Sequence, residues 1–246
     1  MKKIIIIGAS SGLGARIAAD FAAAGWRVGV AARREMPMQE LRDAYPDNVV
    51  VKTIDVTAVD AVERFNELIR LTDGMDIMLY CAGVGFADPQ LDDSRLVNTL
   101  DVNVTGFARL VSAAYRYFRD TADGDTPGQI AAITSVAGVK ALGISAAYSA
   151  SKAFGIRFLN ALEQLAFRQQ VNVCFTDIRP GFVRTPLLDD SRQYPMIMTV
   201  DYASRLIERA IVRRRRVAYI DWRWGAASAL WRLVPQRLWR HIALDL

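Results

Sequence analysis

Histidine and cysteine are scarce in this chain of 246 residues. The one histidine, His241, stands close to the end, which argues against a Ser-His-Asp or Cys-His hydrolase and against a multi-histidine metal centre. The two cysteines, Cys81 and Cys174, both lie inside apolar runs. Two such thiols form no disulfide framework and are expected to behave as small buried hydrophobic side chains. We therefore expect neither a secreted disulfide scaffold nor a metal site.

Long apolar runs are missing as well. No stretch of about 18 uncharged apolar residues occurs, and only four isoleucines follow Lys2 and Lys3, too few for the apolar region of a signal peptide. We therefore expect a cytoplasmic protein. The net charge of +5 belongs to the end of the chain, because residues 201–246 hold 10 Lys and Arg against 4 Asp and Glu. This distribution argues against a catalytic body that binds nucleic acid, and the run Arg213–Arg216 is interpreted as a solvated surface.

Short apolar runs recur along the chain with helical segments between them. Apolar residues at successive positions are typical of strands that are buried on both faces of a parallel sheet. Seven runs predict such strands: Ile4–Ile7, Val28–Ala31, Val49–Ile54, Ile77–Tyr80, Ile130–Ile133, Val171–Phe175 and Val217–Ile220. The pattern predicts one doubly wound, Rossmann-type α/β domain over residues 1–220, with a seven-stranded parallel sheet flanked by helices.

A glycine-rich turn follows the first predicted strand directly. It reads Gly8-Ala-Ser10-Ser11-Gly12-Leu13-Gly14 and opens a helical run. Glycines let backbone approach a pyrophosphate, and the N-terminus of the next helix offers free N–H groups to the anion. We interpret the turn as part of a dinucleotide site; the alternative is an ordinary tight turn between strand and helix.

Arg33 and Arg34 follow the second predicted strand, about 20 residues beyond the glycine turn, where an NAD-binding protein usually carries Asp or Glu. No carboxylate is present there. A guanidinium can neutralise the 2′-phosphate of NADP with a forked contact, so the pair favours NADP(H). The alternative is a solvated arginine pair at the end of a strand.

Tyr148 and Lys152 are four residues apart, which places them on one face of a helix. A nearby ammonium stabilises a phenolate, so we expect Lys152 to lower the pKa of Tyr148 from about 10 towards neutral pH. Tyrosine would then serve as a general acid. Ser135 and Asn103 complete the set of candidate catalytic residues.

Four motifs in this order resemble the short-chain dehydrogenase/reductase family, in its small single-domain form. They are Gly8-x-x-x-Gly12-x-Gly14, the Ser135 segment Ile133–Gly138, Tyr148-x-x-x-Lys152, and Pro180-Gly181 with Thr185 beyond it. The resemblance implies hydride transfer between a nicotinamide and a carbonyl or alcohol. Tyr148 would pass the proton and Ser135 would hold the substrate oxygen. Lys152 would tune Tyr148 and bind the nicotinamide ribose, and Asn103 would anchor a water in the proton relay.

The resemblance also implies a set of cofactor contacts. Asp55 and Val56 would contact the adenine, the segment from Pro180 to Thr185 would lie against the nicotinamide, and Ala32 with Arg33 resembles the NADP(H)-preferring subgroup. The full set of expected cofactor residues is Gly8, Ser10, Ser11, Gly12, Leu13, Gly14, Arg33, Arg34, Asp55, Val56, Ala82, Gly83, Lys152, Pro180, Gly181, Val183 and Thr185.

Two positions depart from the family pattern. The family usually has Thr where this chain has Ile7, and Asn where it has Cys81. In the family pattern these two polar groups are joined by a hydrogen bond. Losing both together leaves neither unpaired, so the change is expected to be nearly neutral.

The segment Leu187–Met198, which forms the substrate lid in the family, is rich in apolar residues. It favours a lipophilic ketone or aldehyde as substrate, although these side chains also suit simple packing of the lid. The alternatives are a 3-oxoacyl thioester on an acidic carrier and a non-catalytic dinucleotide-binding sensor. The family resemblance further implies a homodimer or homotetramer.

Residues 221–246 form an extension rich in tryptophan and arginine. After Pro235, the residues Leu238, Trp239, Ile242 and Leu246 share one face, which predicts an amphipathic helix. Tryptophan and arginine together are typical of subunit interfaces and of membrane surfaces. We expect this extension to pack against the body or a partner subunit beside the lid, and peripheral membrane contact remains the alternative.

Overall fold

The computed structural model describes residues 1–121, 126–188 and 192–242. Its centre is a seven-stranded, fully parallel sheet in the order β3-β2-β1-β4-β5-β6-β7. The strands are β1 (Lys3–Ile7), β2 (Arg27–Ala32), β3 (Val49–Thr53), β4 (Ile77–Tyr80), β5 (Gly128–Ile133), β6 (Val173–Pro180) and β7 (Val217–Ile220). The predicted doubly wound α/β class is confirmed.

Strand β6 departs most from its prediction, because it continues to Pro180 instead of ending at Phe175. Its second half contains Asp177 and Arg179, whose charges interrupt the apolar pattern. Both side chains are buried and form an ion pair of 2.5 Å. The Thr134 hydroxyl donates a further hydrogen bond to Asp177 at 2.5 Å. Buried charges are tolerated when they are paired in this way.

Helices cover both faces of the sheet. They are α1 (Gly12–Ala23), α2 (Met36–Ala44), α3 (Ala61–Leu71), α4 (Asp93–Leu100), α5 (Phe107–Thr121), α6 (Ala146–Gln169), α7 (Val200–Val212), α8 (Trp222–Leu233) and α9 (Gln236–Trp239). One apolar core packs α1, α2 and α7 against one face, with Ile17, Met38 and Ile207 fully buried. The second core packs α3, α5 and α6 against the other face.

The order of the strands reverses beside β1. The chain moves from β1 to β2 and β3 on one side, and then returns to β4 on the other side of β1. The loops after β1 and β4 therefore leave the sheet in different directions and open a crevice at the carboxyl ends of the strands, which is where open α/β sheets bind ligands.

The described part of the C-terminal segment contains two helices, whereas the sequence predicts one amphipathic helix after Pro235. A helix does begin directly after Pro235, but α9 ends at Trp239. Trp239 is buried, whereas Leu238 and Ile242 are exposed, so the predicted common face does not form. Leu246 lies outside the described residues. In the part of the chain that the structure describes, no helix has the length and apolar character needed to span a membrane.

Candidate active site

A cleft of about 470 Å³ opens at the carboxyl ends of the strands. It brings together most of the residues that the sequence predicts for the cofactor site. Those that line it are Gly8, Ser10, Ser11, Gly12, Leu13, Gly14, Arg33, Arg34, Asp55, Val56, Ala82, Gly83, Lys152 and Thr185, together with Tyr148. Residues 189–191, within the predicted lid, lie outside the described part of the chain.

The glycine turn is shaped for a close backbone approach. Gly8 has a φ of 92°, and a Cβ on it would lie 2.5 Å from the backbone nitrogen of Ala82. A Cβ on Gly14 would lie 2.2 Å from the carbonyl oxygen of Gly8. Larger residues at either position would push the turn away from β4 or from α1. The turn and the helix N-terminus behind it fit the pyrophosphate of a dinucleotide.

Two arginines define the end of the cleft at β2. Arg34 donates hydrogen bonds to Ser11 Oγ at 2.7 Å and to Ser10 Oγ at 3.2 Å, so it braces the glycine turn. Arg33 lines the cleft with its side chain exposed. The carboxylate that follows them, Glu35, accepts hydrogen bonds from Gln39 and Thr53, which hold the pKa of its carboxyl below the usual value.

Helix α6 carries Tyr148 and Lys152 to the inner wall of the cleft. The Lys152 ammonium donates to the carbonyl of Ile133 at 2.9 Å and lies 5.6 Å from the centroid of the Tyr148 ring. Ser135 follows β5, and its hydroxyl accepts a hydrogen bond from the backbone of Ala137 at 3.1 Å. The predicted helical face of Tyr148 and Lys152 is therefore present.

Asn103 lies in a π-helical segment, Asp101–Gly106, that joins α4 to α5. Its side chain donates to the carbonyl of Val84 at 2.7 Å and to Ser151 Oγ at 3.0 Å, and it accepts from the backbone of Val84 at 2.9 Å. Wider π turns inside α-helices often occur at functional sites. Asn103 is thereby fixed between the loop after β4 and helix α6, although it does not line the cleft itself.

The pKa values depart from the sequence-based expectation. Burial raises the pKa of the Tyr148 phenol above its usual value, and the interaction with Ser135 opposes this only in part. The prediction that the pKa of Tyr148 falls towards neutral pH is therefore wrong for this structure, because removal of the phenol from water is the largest effect on it. Burial also lowers the pKa of Lys152 to about 8, although Cys81 and Asp177 act in the opposite direction.

Three expected cofactor residues stand behind the cleft instead of lining it. The Pro180 carbonyl accepts a hydrogen bond from Ser135 at 3.5 Å. Gly181 lies against α8, where a Cβ on it would come within 2.0 Å of the Trp224 ring. Val183 is buried and pairs with Met198 through a short parallel bridge. These residues set the course of the chain towards Thr185, which does reach the cleft.

Two glycines, Gly85 and Gly138, shape the surroundings of the catalytic residues, and the sequence analysis assigned no role to either. A Cβ on Gly85 would lie 2.7 Å from the Tyr148 ring, and one on Gly138 would lie 2.6 Å from the backbone of Lys152. Only their position in or beside the predicted motifs could have drawn attention to them.

Ile7 and Cys81, the two positions that depart from the family pattern, are adjacent, since the Cys81 backbone N–H donates to the Ile7 carbonyl at 2.8 Å. Burial raises the pKa of the Cys81 thiol to about 12.

Comparison with known proteins agrees with this geometry. The family model described as short chain dehydrogenase matches residues 2–195, and the chain belongs to that family. An uncharacterized oxidoreductase of Myxococcus xanthus is 34% identical over 241 residues, which cover 95% of this chain and 93% of that protein.

Two solved structures have the same fold. A short-chain dehydrogenase from Burkholderia cenocepacia in complex with NADP has a TM-score of 0.80 and 22% identity, covering 98% of both chains. A short-chain dehydrogenase from Sphingobium yanoikuyae in complex with NADPH has a TM-score of 0.77 and 22% identity, covering 100% of this chain and 98% of that one. The protein is thus an oxidoreductase of the short-chain dehydrogenase family with a Rossmann-type fold.

Proposed function

We propose that this protein reduces a lipophilic ketone or aldehyde with NADPH, or catalyses the reverse oxidation of the alcohol. The observation that carries the proposal is the pair of arginines at the end of β2, where Arg33 lines the cleft and Glu35 is engaged with Thr53 and Gln39. A cationic side chain beside the adenosine ribose favours a 2′-phosphate over a free hydroxyl. The two related structures that contain NADP or NADPH support this choice.

NADPH would supply the hydride, and the chain would manage the proton and the carbonyl. Ser135 would donate a hydrogen bond to the carbonyl oxygen, and Tyr148 would give that oxygen its proton. The raised pKa of Tyr148 keeps the phenol protonated at neutral pH, which suits the direction of reduction. The Lys152 ammonium would bind the nicotinamide ribose. Asn103 would hold the loop at Val84 against helix α6 at Ser151 through its side-chain hydrogen bonds.

The surroundings of Tyr148 support an apolar substrate. On the side of the C-terminal segment, Tyr148 packs against a buried apolar cluster of Ala137, Leu142 and Trp239, which Trp231 and Val234 also cover. Such a wall offers little to a charged or strongly polar molecule, because burial of charge without a partner is costly. We therefore assign the substrate to lipophilic carbonyl compounds.

The test is a spectrophotometric screen of aliphatic and aromatic ketones and aldehydes, followed at the nicotinamide absorbance with NADPH and, in parallel, with NADH. We expect turnover with at least one lipophilic carbonyl and tighter binding of NADPH than of NADH by fluorescence titration. Equal affinity for the two cofactors would overturn the assignment of NADPH. Turnover restricted to 3-oxoacyl thioesters would replace the proposed substrate class.

A further inference from the structure

Helix α8 has two apolar faces, and only one of them is covered. Trp224, Ser228 and Trp231 face the body, where Trp224 belongs to the apolar core that packs α1, α2 and α7 against the sheet. On the opposite face Trp222 is 77% exposed, Leu230 66% and Leu233 78%. With Ala226 and Ala229, these residues follow the spacing i, i+4, i+7, i+8, i+11 and form one continuous band, which we call the outer stripe.

The outer stripe is held on a fixed support. The Lys140 ammonium donates to the carbonyl of Val234 at 2.8 Å, and the Trp239 indole donates to the carbonyl of Ala141 at 2.8 Å. These two bonds anchor the end of α8 and helix α9 to the loop that precedes Tyr148. Beyond the stripe, Leu238 and Ile242 are exposed as well. The segment therefore presents apolar side chains to solvent while its own backbone is tied to the body.

The charged side chains of helices α8 and α9 all have one sign. Residues 222–242 contain the four arginines Arg223, Arg232, Arg237 and Arg240, and they contain no Asp or Glu. By helical spacing, Arg223 and Arg232 flank the outer stripe on its two sides. Asp221, just before the helix, pairs with Arg223 at 2.9 Å. Arg232 bonds to the Tyr219 hydroxyl at 3.1 Å, and Arg237 and Arg240 are exposed.

We propose that the outer stripe and these arginines bind the surface of an anionic lipid bilayer. Tryptophan and leucine on one face with arginine at its edges are typical of helices that lie in the membrane interface. Arginines near an anionic surface add electrostatic attraction. A symmetric contact with a second copy would instead join two copies of the same patch, and residues 222–242 offer no carboxylate to pair with the exposed arginines of the other copy. The charge thus favours lipid over a second copy as the occupant.

The experiment is flotation of the full-length protein with vesicles of phosphatidylglycerol and phosphatidylcholine mixtures, compared with vesicles of phosphatidylcholine alone. The test variant is Leu230→Ser with Leu233→Ser. Its matched control is Val59→Ser with Phe167→Ser, which removes two exposed apolar side chains outside the C-terminal segment. A second test variant is Arg237→Gln with Arg240→Gln, matched by Arg213→Gln with Arg214→Gln. Size-exclusion chromatography with light scattering reports the oligomeric state of each.

We expect wild-type protein to float with the anionic vesicles and not with the neutral ones. The leucine variant should partition about tenfold more weakly, whereas its control should bind like wild type. Raising the salt from about 0.1 M to about 1 M should release the wild type, because the Debye length falls to about 3 Å. This measurement needs no variant, so it stands even where a substitution disturbs folding.

Two results would overturn the proposal. One is the absence of wild-type protein from the floating fraction of both kinds of vesicle. The other is a dimer that the leucine variant converts to a monomer while vesicle binding stays the same in both proteins, since a second copy would then cover the stripe. Neither result bears on the proposed reaction, which is measured in solution without lipid.

Discussion

The cofactor cleft and the C-terminal helices are built from opposite kinds of residue. In the cleft, glycines bring backbone segments so close that even a methyl group would collide, as at Gly8 and Gly14. In the C-terminal segment, large rings fill the space, and Trp224, Trp231 and Trp239 follow one another with centroid separations of 6.1 and 5.5 Å. The two regions meet at Gly181, which leaves room for Trp224.

This contrast matters for what each region does. The family model covers residues 2–195 and therefore includes the cleft, whereas α8 and α9 lie beyond it. We infer that the cleft carries the chemistry shared by the family, and that the C-terminal segment stabilises the wall beside Tyr148 and adds a separate surface. Changes in the cleft should thus alter turnover and cofactor binding, whereas changes in the segment should alter stability and surface behaviour.

The largest effect is expected in the cleft, for Tyr148→Phe. Loss of the proton donor should lower kcat by about 100-fold to 10,000-fold. NADPH affinity should stay within a few fold, because the phenol is needed for proton transfer and not for docking. The control is Tyr45→Phe, which removes a hydroxyl outside the cleft. Turnover retained in Tyr148→Phe would remove this residue from its role.

The next largest effect is expected in the C-terminal segment, for Trp224→Ala. Trp224 is only 1% exposed, and its ring packs against Gly181 and Phe182, so its removal leaves a buried cavity beside these two residues. The free energy of unfolding should fall by about 3–5 kcal/mol in urea titrations. Trp222→Ala is the matched control on the same helix and should change it by less than about 0.5 kcal/mol. Similar losses in the two variants would contradict the two-faced structure of α8.

Cofactor choice should respond to Arg33→Ala. A charge-assisted hydrogen bond contributes about 1.5–3 kcal/mol, so NADPH affinity should fall by roughly one to two decades. NADH affinity should change little, since NADH has no 2′-phosphate. Arg42→Ala, an exposed arginine on α2, should leave both affinities unchanged in fluorescence titrations. A parallel loss for NADH would show that Arg33 acts through the shape of the cleft instead.

The pH dependence of NADPH binding tests Lys152. Its pKa of about 8 means that the ammonium is present below pH 8 and is lost as the pH rises through that value. The dissociation constant of NADPH should therefore increase above pH 8, by up to about tenfold per pH unit. In Lys152→Met, binding should be weaker and nearly independent of pH between about 7 and 9.5, where no ammonium remains to titrate. A flat wild-type profile would disagree with this prediction.

The smallest effect is expected for Lys140→Met, which removes one of the two hydrogen bonds that tie the C-terminal segment to the loop before Tyr148. The Lys140 ammonium also lies 5.3 Å from the centroid of the Trp239 ring. The free energy of unfolding should fall by about 1 kcal/mol, which corresponds to roughly 2–4 °C in Tm. Activity should persist, because the Trp239 bond to Ala141 remains. Lys52→Met, away from the segment, serves as a comparison for removal of a lysine.

The sequence by itself determined the layers of the fold and the main members of the cleft. Strands β4 and β7 have the bounds that their apolar runs predict, because a strand buried on both faces must be apolar at successive positions. Tyr148 and Lys152 share a helical face because their spacing requires it. The glycine turn lines the cofactor cleft because only glycine tolerates backbone atoms at such short distances.

The tertiary structure alone decided the features that depend on neighbours distant in sequence. Strand β6 extends past its apolar half because distant residues satisfy its buried charges: the Thr134 hydroxyl donates to Asp177, and Arg179 donates to the Tyr219 hydroxyl. The pKa of Tyr148 rises instead of falling because burial depends on all the surrounding segments at once. Likewise, Trp224 is buried and Trp222 exposed on one short helix, because the body covers only the face that meets Gly181.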